Sequence, residues 1–356
     1  MRDKTVVMPR IGDYHIPLNL FLERTLGCKT IDAPAITKKT VEIGAKNSPD
    51  TVCTPYKIIL GSFIEALEGK KANALAMPAI GCRLGFYDLL QEQMLKELGF
   101  DFLMMQLFDY APTVKRLFQQ LSKYNPELTR DKFNEDLAFA ISIIVPMDEL
   151  ADYMRRNEAF EVTKGEFTKT WAKYLSEIRK LKTTDEATAL GEKYRKAIHV
   201  IKINKPDNRL RIGLVGDLYS VIEPHGNCDI ERWLVNNGVE IVRHCDLTFL
   251  AKYMTDIPYL VSQSGGYVSY GIGGNANGTI AQAYQMASEG IDGIIHMKAA
   301  TCTPEITAMS ILQNMSTDME LPIVYLTFDT ETSEAGLHTR LEAFIDMLTM
   351  KRGNKK

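Results

Sequence analysis

The chain has 356 residues, of which 45% are apolar, so it can bury a substantial core and we expect two or three domains. Its 42 basic and 45 acidic residues nearly balance, which gives no electrostatic argument for a nucleic-acid or anionic-membrane partner. The apolar run after Met1 is too short for a signal peptide, and no stretch approaches the length of a membrane span. We therefore expect a cytoplasmic protein.

The first third of the chain alternates short apolar runs with amphipathic segments. The apolar runs predict strands at 4–8, 30–32, 74–77 and 102–105. Helical spacing predicts helices at 16–26, 56–68 and 87–98, and a further helix that starts at 37–42. Because strands that alternate with helices are typical of a parallel sheet, we predict an N-terminal α/β domain over residues 1–111.

The remainder of the chain changes character twice. Residues 112–205 are rich in Lys and Glu and show hardly any strand signal, which predicts a helical connector. After it, apolar runs predict strands at 210–216, 239–242, 293–296 and 323–328, and helical patterns lie at 230–236, 278–288, 304–314 and 335–350. We therefore predict two Rossmann-like or flavodoxin-like domains, the second over residues 206–356, joined by a mainly helical segment.

Three cysteines stand in similar sequence settings. Cys53, Cys82 and Cys302 each lie where we predict that a strand-like run gives way to a short turn before a helix. Cys53 precedes Pro55, and proline is favoured in the first turn of a helix. The carboxyl ends of parallel strands meet at one edge of a sheet, where open α/β sheets bind ligands. Three such thiolates suggest a metal or iron–sulfur centre.

The other three cysteines have different settings. Six cysteines without a secretory segment argue against a disulfide framework. Cys28 lies between a helix and the next strand, and we expect it to be a small packed residue. Cys228 and Cys245 flank the segment 230–242, and packing is the simplest explanation for them as well.

The cysteine spacing does not choose the metal. Structural zinc sites use close cysteine pairs and four ligands, although His15 or His296 could complete a Cys3His site. Ferredoxin-like cysteine runs are absent from the sequence. A 4Fe–4S cluster held by three thiolates fits widely separated ligands and leaves one iron open to substrate. Spacing alone therefore leaves zinc and iron–sulfur as alternatives.

Two glycine-rich stretches invite a nucleotide-binding interpretation. Gly213 and Gly216 end a predicted strand, but the third glycine of the dinucleotide motif and its helix are missing. Residues 271–278 form a glycine-rich loop before a helix, without the lysine of a triphosphate-binding loop. This second loop either holds an anionic substrate group or is a plain flexible loop.

Several motifs taken together resemble a known family. The family is that of 2-hydroxyacyl-CoA dehydratase component D and benzoyl-CoA reductase, and the chain particularly resembles its stand-alone, dehydratase-like members, described as CoA-protein activases and related to double-cubane proteins. The resemblance is carried by PRIGDY at 9–14, SPDxxCxPxK at 48–57, GCRLGFY at 81–87, EP at 223–224, DIE at 229–231, CTPEI at 302–306 and LTFD at 326–329. It extends over essentially the whole chain.

The resemblance implies an oxygen-sensitive iron–sulfur protein. In this family three cysteines hold a 4Fe–4S cluster, and their positions match Cys53, Cys82 and Cys302. A separate ATP-hydrolysing iron–sulfur activator delivers a low-potential electron, and members use it for radical dehydration of 2-hydroxyacyl-CoA or for reductions. The chain is then a lyase-like or reductase component that works as a homodimer or with a paralogous subunit. No further catalytic residue is assigned by the resemblance.

Departures from the family pattern leave two alternatives. Residues 299–301 lack the Pro-Phe that relatives tend to carry before the third cysteine, and Asn275 replaces a frequent His; both changes bear on the substrate pocket. One alternative is a double-cubane 8Fe–9S reductase, which would require Cys28, Cys228 and Cys245 to converge as well. The other is a scaffold or electron-relay subunit without a substrate. We also expect Arg83, directly after Cys82, to stabilise a reduced cluster.

Overall fold

The structure is a computed structural model that describes residues 1–69, 71–78, 82–108 and 112–353. The contacts divide the chain into unit 1, which comprises Met1–Leu150 and Thr168–Val200, and unit 2, which comprises Ala151–Phe167 and Ile201–Lys356. Each unit contains one four-stranded sheet whose strands are all parallel. The predicted α/β class with two parallel sheets is confirmed.

The sheet of unit 1 is built from short strands. They are β1 (Thr5–Met8), β2 (Lys29–Asp32), β3 (Ala74–Met77) and β4 (Leu103–Gln106). Their order in the sheet is β2-β1-β3-β4. All four residues of β3 are buried, because helices cover both faces of a central parallel strand.

Four helices accompany these strands in the sequence. They are α1 (His15–Leu26), α2 (Lys38–Lys46), α3 (Thr54–Glu68) and α4 (Tyr87–Glu97). Helix α2 begins with a capping box, in which Thr37 and Thr40 exchange hydrogen bonds between side chain and backbone. Helix α3 has Pro55 in its first turn, as the sequence predicts.

Helices α2 and α3 pack at unusually short range. A Cβ atom added to Gly44 would lie 1.7 Å from the backbone oxygen of Lys57, and one added to Gly61 would lie 2.0 Å from that of Thr40. Each helix therefore needs a glycine where the other crosses it. The hydroxyl of Thr40 also donates a hydrogen bond of 2.6 Å to Glu65. These contacts fix the position of α3, whose first turn follows Cys53.

Helices fill the segment between the two sheets, as the sequence predicts. They are α5 (Val114–Tyr124), α6 (Arg130–Asn157), α7 (Glu166–Ile178) and α8 (Thr184–His199). Helix α8 begins with a second capping box, formed by Thr183 and Glu186. Across the described part of the chain, no helix has the length and apolar composition needed to cross a bilayer.

Unit 2 repeats the strand order of unit 1. Its strands are β5 (Arg211–Gly216), β6 (Glu240–Val242), β7 (Gly293–Ala299) and β8 (Ile323–Phe328). Their order is β6-β5-β7-β8. Every residue of β7 is buried. By position in the sheet, β5 corresponds to β1 and β7 to β3.

The helices of unit 2 include three that the sequence patterns do not predict. The helices that the structure describes after β5 begins are α9 (Leu218–Ile222), α10 (Ile230–Asn236), α11 (Leu247–Tyr253), α12 (Ile257–Ser262), α13 (Ala276–Ser288), α14 (Thr303–Asp318) and α15 (Glu334–Gly353). Helices α9, α11 and α12 have 5, 7 and 6 residues. Helices this short give little helical period, although α10, which also has 7 residues, was predicted.

The strand order creates equivalent binding edges in the two units. In each sheet the chain places its second strand on one side of the first and its third strand on the other side. In open α/β sheets, ligands bind at the carboxyl ends of the strands where this reversal occurs. The relevant edge lies after β1 and β3 in unit 1, and after β5 and β7 in unit 2.

Candidate functional site

Cys53 lies at the start of helix α3. It is the N-cap residue, with extended backbone angles (φ −74°, ψ 158°), and Thr54 and Pro55 form the first turn. Helix α3 leads directly into β3, so in a parallel β-α-β arrangement its N-terminus lies toward the carboxyl edge of the sheet. The expectation that a strand precedes Cys53 is wrong, because the preceding element is helix α2. The Thr37 cap and the close packing on α3 favour helix there over strand.

Cys82 follows β3 at the same edge. Its carbonyl accepts a hydrogen bond of 2.9 Å from Gly85 N, which starts the 3-10 turn Arg83–Phe86 before α4. The thiol-bearing residues Cys53 and Cys82 are both half-buried. Arg83 is exposed, so solvent screens its charge.

Tyr87, the first residue of α4, contacts Cys53. The phenol oxygen of Tyr87 lies 3.3 Å from Cys53 Sγ and 3.4 Å from Cys53 N. Burial raises the pKa of Tyr87 well above its ordinary value, and the neighbouring Cys53 adds to the effect. The phenol therefore keeps its proton. The motif that contains Tyr87 is recognisable in the sequence, but this contact is not, because it joins residues 34 positions apart.

In unit 2, Cys302 repeats the setting of Cys53. It is the N-cap of α14, and Thr303 and Pro304 follow it just as Thr54 and Pro55 follow Cys53. Its backbone N–H donates a hydrogen bond of 3.0 Å to Ala299 O at the end of β7. Cys302 therefore lies three residues beyond a strand equivalent to β3, and it is half-buried. The predicted strand–turn–helix setting is confirmed for this cysteine.

A buried polar network supports the turn that carries Cys302. Glu305, in the first turn of α14, is fully buried, with one carboxylate oxygen 3.0 Å from the Thr279 hydroxyl and the other 2.9 Å from His296 Nε2. The Thr279 hydroxyl also lies 3.1 Å from Gly216 O. These bonds join α14 to β7, α13 and the end of β5. The sequence alone does not reveal Glu305 as a bridge, because its partners come from other elements.

Asp217 and Gly216 hold the end of β5 against β7. Asp217 accepts hydrogen bonds from Ala299 N at 2.6 Å and from Ser220 N at 2.9 Å. Burial raises the pKa of Asp217, although these donors oppose the shift. Gly216 has a φ of +145°, and a Cβ there would lie 1.8 Å from Met297 O. Gly216 therefore allows β5 and β7 to approach closely. This packing explains why a glycine is needed at a position that resembles part of a nucleotide-binding motif.

The glycine-rich loop before α13 is held by asparagines. Asn277 accepts a hydrogen bond of 2.8 Å from Ile272 N and donates one of 2.9 Å to Tyr270 O. Asn275, the N-cap of α13, donates to Gly216 O at 2.9 Å and lies 3.7 Å from Cys245 Sγ. These bonds order the loop against the end of β5, so it is not a plain flexible loop.

The remaining cysteines occupy packed positions or a strained turn. Cys28 is buried at the opposite edge of sheet 1 from Cys53 and Cys82, because it joins the end of α1 to the start of β2. Burial raises the pKa of Cys28 to about 11 and that of Cys245 to about 12. Cys228 is half-buried and has a φ of 55°, in the region that disfavours side chains. The predicted packing of Cys28 is confirmed.

The histidines proposed for a zinc site already have other partners. His296 is bonded to Glu305, and His15 Nδ1 lies 3.0 Å from Gly12 O while its Nε2 lies 3.7 Å from Asp32. Within either unit, as far as the structure describes the chain, no three His, Cys, Asp or Glu side chains are grouped as metal ligands would be. Cys53 and Cys82 belong to unit 1, whereas Cys302 belongs to unit 2.

The family comparison agrees with the sequence motifs. A sequence profile described as 2-hydroxyglutaryl-CoA dehydratase, D-component, matches residues 34–348. The chain belongs to this family. A search of curated proteins gives no match. The predicted resemblance is confirmed, and Cys53, Cys82 and Cys302 all lie within the segment that matches the 2-hydroxyglutaryl-CoA dehydratase D-component profile.

The donor set fits the soft metal centre expected of a D-component. Thiolates are the ligands that iron–sulfur clusters require, and Cys53 and Cys302 lie at helix N-termini, where negative charge is favoured. A phenol hydroxyl stands next to one of the two thiols of unit 1. Nothing in this donor set favours zinc, which usually takes close cysteine pairs.

Proposed function

We propose that the chain is the iron–sulfur component of a 2-hydroxyacyl-CoA dehydratase-type system. In this proposal Cys53, Cys82 and Cys302 hold one 4Fe–4S cluster, and a separate ATP-hydrolysing iron–sulfur activator supplies its electron. The substrate class is an acyl-CoA thioester. When bound, the cluster would supply one low-potential electron for radical dehydration or reduction of that thioester.

One observation carries the proposal. Cys82 and Cys302 follow equivalent strands, β3 and β7, at the sheet edge where α/β proteins bind ligands, and Cys53 begins the helix that leads into β3. Cys245 also follows a strand, β6, and precedes a helix, α11, but it is fully buried, whereas the three proposed ligands are half-buried. The family match supports a dehydratase-type component, and the choice among its cysteines rests on their settings in the fold.

The protein's own residues have defined tasks in this proposal. The three thiolates bind iron, and the N-termini of α3 and α14 favour the negative charge of the ligands. Glu305 and Asp217 fix the turn that carries Cys302 through buried hydrogen bonds. The half-buried position of the thiols limits access of water.

The assignment of the ligands can be tested by chemical analysis. Protein purified without oxygen should contain about four irons and four sulfides per chain and give an electron paramagnetic resonance signal after reduction. Replacing Cys53, Cys82 or Cys302 by Ser should deplete iron, whereas Cys28→Ser, at the opposite edge of sheet 1, should retain it. Full iron occupancy in Cys302→Ser would disprove the ligand set.

The same measurement separates the double-cubane alternative. An 8Fe–9S centre would give about eight irons per chain and would need further thiolates. The buried position of Cys28 argues against its participation. An electron-relay subunit without substrate would instead give four irons but no spectral change when an acyl-CoA is added to the reduced protein.

We assign ATP hydrolysis to a separate activator, because this sequence has no triphosphate-binding loop. The glycine-rich loop at 271–278 has no lysine, and no G-x4-G-K-[ST] motif occurs in the sequence. Cluster reduction should therefore need both a candidate activator and ATP. If a low-potential chemical donor reduced the cluster and sustained turnover equally fast without them, the two-component proposal would be wrong.

A further inference from the structure

Tyr87 offers a hydrogen bond to the sulfur of Cys53. The backbone N–H of Cys53 points to the phenol oxygen at 3.4 Å, so this oxygen accepts one hydrogen bond. The hydrogen of the phenol is then available to a different acceptor, and Cys53 Sγ lies 3.3 Å away. A thiolate is a good acceptor for such a donor, because hydrogen bonds to a charged group are stronger than neutral ones.

Packing holds the phenol in this place. Tyr87 is 5% exposed, and its ring meets that of Tyr56 edge to face with the ring centres 4.7 Å apart. Tyr56 is fully buried in α3, and its hydroxyl lies 2.9 Å from Met94 Sδ. Gln91 of α4 donates a hydrogen bond of 3.3 Å to Tyr56 O. The donor is therefore fixed before any ligand binds, and little entropy is lost when it acts.

We propose that Tyr87 is a positioning residue that raises the reduction potential of the centre bound by Cys53, by donating a hydrogen bond to the Cys53 sulfur. The inference rests on the proposed iron–sulfur function. Reduction adds negative charge to the cluster and its thiolates, so a donor to a thiolate sulfur stabilises the reduced state more than the oxidised state.

Other groups near the thiols are less suited to this role. Arg83 is exposed, and water screens its charge. Cys53 is the N-cap of the helix before the third strand of unit 1, and the same position in unit 2 is occupied by Asn275. The amide of Asn275 donates to Gly216 O and toward the buried Cys245. Tyr87 thus provides unit 1 with a buried neutral donor that contacts a predicted ligand directly.

The test compares two tyrosine-to-phenylalanine variants. Tyr87→Phe removes the hydroxyl at Cys53 and keeps the ring, whereas Tyr56→Phe removes a neighbouring hydroxyl that contacts Met94. Both proteins, loaded with cluster under anaerobic conditions, are titrated while the reduced signal is followed by electron paramagnetic resonance. At a fixed solution potential near the midpoint of the unmodified protein, the ratio of reduced to oxidised cluster should fall about fivefold in Tyr87→Phe. It should stay unchanged in Tyr56→Phe.

Each outcome decides the inference. An unchanged or increased ratio in Tyr87→Phe overturns it, and so does an equal fall in Tyr56→Phe, because the effect would then come from packing. If the unmodified protein binds no iron, the proposed function fails and the inference fails with it. A loaded protein in which Tyr87→Phe has no effect leaves the proposed function standing and removes the inference alone.

A second variant covers the case in which Tyr87→Phe does not load a cluster. Replacing Tyr87 alone by 3-fluorotyrosine keeps the ring and makes the hydroxyl a stronger donor. The reduced fraction at the same solution potential should then rise above that of the unmodified protein. An unchanged or lower fraction would overturn the inference.

Discussion

The two units use the same sheet edge with different chemistry. The helix before the third strand begins with Cys53 in unit 1 and with Asn275 in unit 2. The turn after the third strand carries a cysteine in both units, Cys82 and Cys302. Of these two positions, unit 1 therefore has a thiol at both, whereas unit 2 has a thiol at one and at the other an asparagine that braces the end of β5.

The two units also hold their thiol-bearing helices by different forces. Helix α3 is held by close backbone packing, because Gly44 and Gly61 let α2 and α3 touch. Helix α14 is held by the buried carboxylate of Glu305, which joins His296 to Thr279. The thiol-bearing helix is thus held by close backbone packing in unit 1 and by buried hydrogen bonds in unit 2. This difference predicts which substitutions damage each unit.

The largest expected effect comes from Gly61→Ala in unit 1. The new methyl group would lie 2.0 Å from Thr40 O, so α2 and α3 must separate, and we expect a loss of about 3 kcal/mol in the free energy of unfolding. The chain has two tryptophans, so in a Trp233→Phe background the fluorescence of Trp171 reports on unit 1 during urea denaturation.

A matched glycine in unit 2 provides the control. Gly336 lies in helix α15, and the nearest atom to an added Cβ would be Ser333 Cβ at 4.0 Å. Gly336→Ala should increase stability by about 0.5–1 kcal/mol, because alanine favours helix. If Gly61→Ala unfolded at the same urea concentration as the unmodified protein, close packing would not be what holds α3.

A smaller effect is expected from Glu305→Gln in unit 2. The carboxylate oxygens of Glu305 contact Thr279 and His296. Glutamine has only one acceptor oxygen and would turn its NH2 group toward one of these two partners. The loss should be about 1–3 kcal/mol, because one buried hydrogen bond is broken. In a Trp171→Phe background the fluorescence of Trp233 reports on unit 2.

The exposed Glu331 gives the comparison for this substitution. Glu331→Gln also removes one negative charge, but the side chain is exposed and has no buried contacts to lose. It should alter the free energy of unfolding by less than about 0.5 kcal/mol. Equal effects of the two substitutions would show that the Glu305 bridge contributes nothing to the stability of unit 2.

The sequence predicted most of the fold because strands and long helices have distinct apolar patterns. Strand β7 was predicted over 293–296 and extends to Ala299, and helix α3 was predicted two residues shorter than it is. Helix α11 was not predicted, although α10, which has the same length, was. The error at Cys53 arose because the run before its turn was interpreted as strand-like, whereas the element there is helix α2.

The candidate site was only partly predictable for a physical reason. Cysteines in turns before proline can be recognised locally, as with Cys53 and Cys302. The contact of Tyr87 with Cys53 depends on how α4 packs on α3, and no spacing rule encodes that. Likewise the sequence places Glu305 in a first helical turn, where a capping role is the simplest expectation, and the buried partners His296 and Thr279 come from other elements.

The smallest predicted effect on stability comes from two carboxylates, Asp32 and Asp217, at the carboxyl edges of the sheets. Asp32 ends β2, and the hydrogen bond from His15 lowers its pKa below the ordinary range, with a further contribution from Arg179 at 2.7 Å. Because the folded pKa is lower than the unfolded one, Asp32 stabilises the protein above about pH 4, and this contribution is lost as pH falls. Asp32→Asn should cost about 1 kcal/mol at pH 7, since the pair is partly exposed.

The pH dependence of Asp217 should have the opposite sign. Burial raises the pKa of Asp217 in the folded protein. Its contribution to the free energy of unfolding is therefore present below the unfolded pKa of about 4 and is lost as pH rises. Urea denaturation of Asp32→Asn and Asp217→Asn between pH 3 and pH 7 measures both slopes. The destabilisation caused by Asp32→Asn should shrink toward low pH, whereas that caused by Asp217→Asn should grow, because asparagine cannot take up the proton that folding favours. Slopes of the same sign would mean that the two sheet edges do not differ electrostatically as their burial and partners indicate.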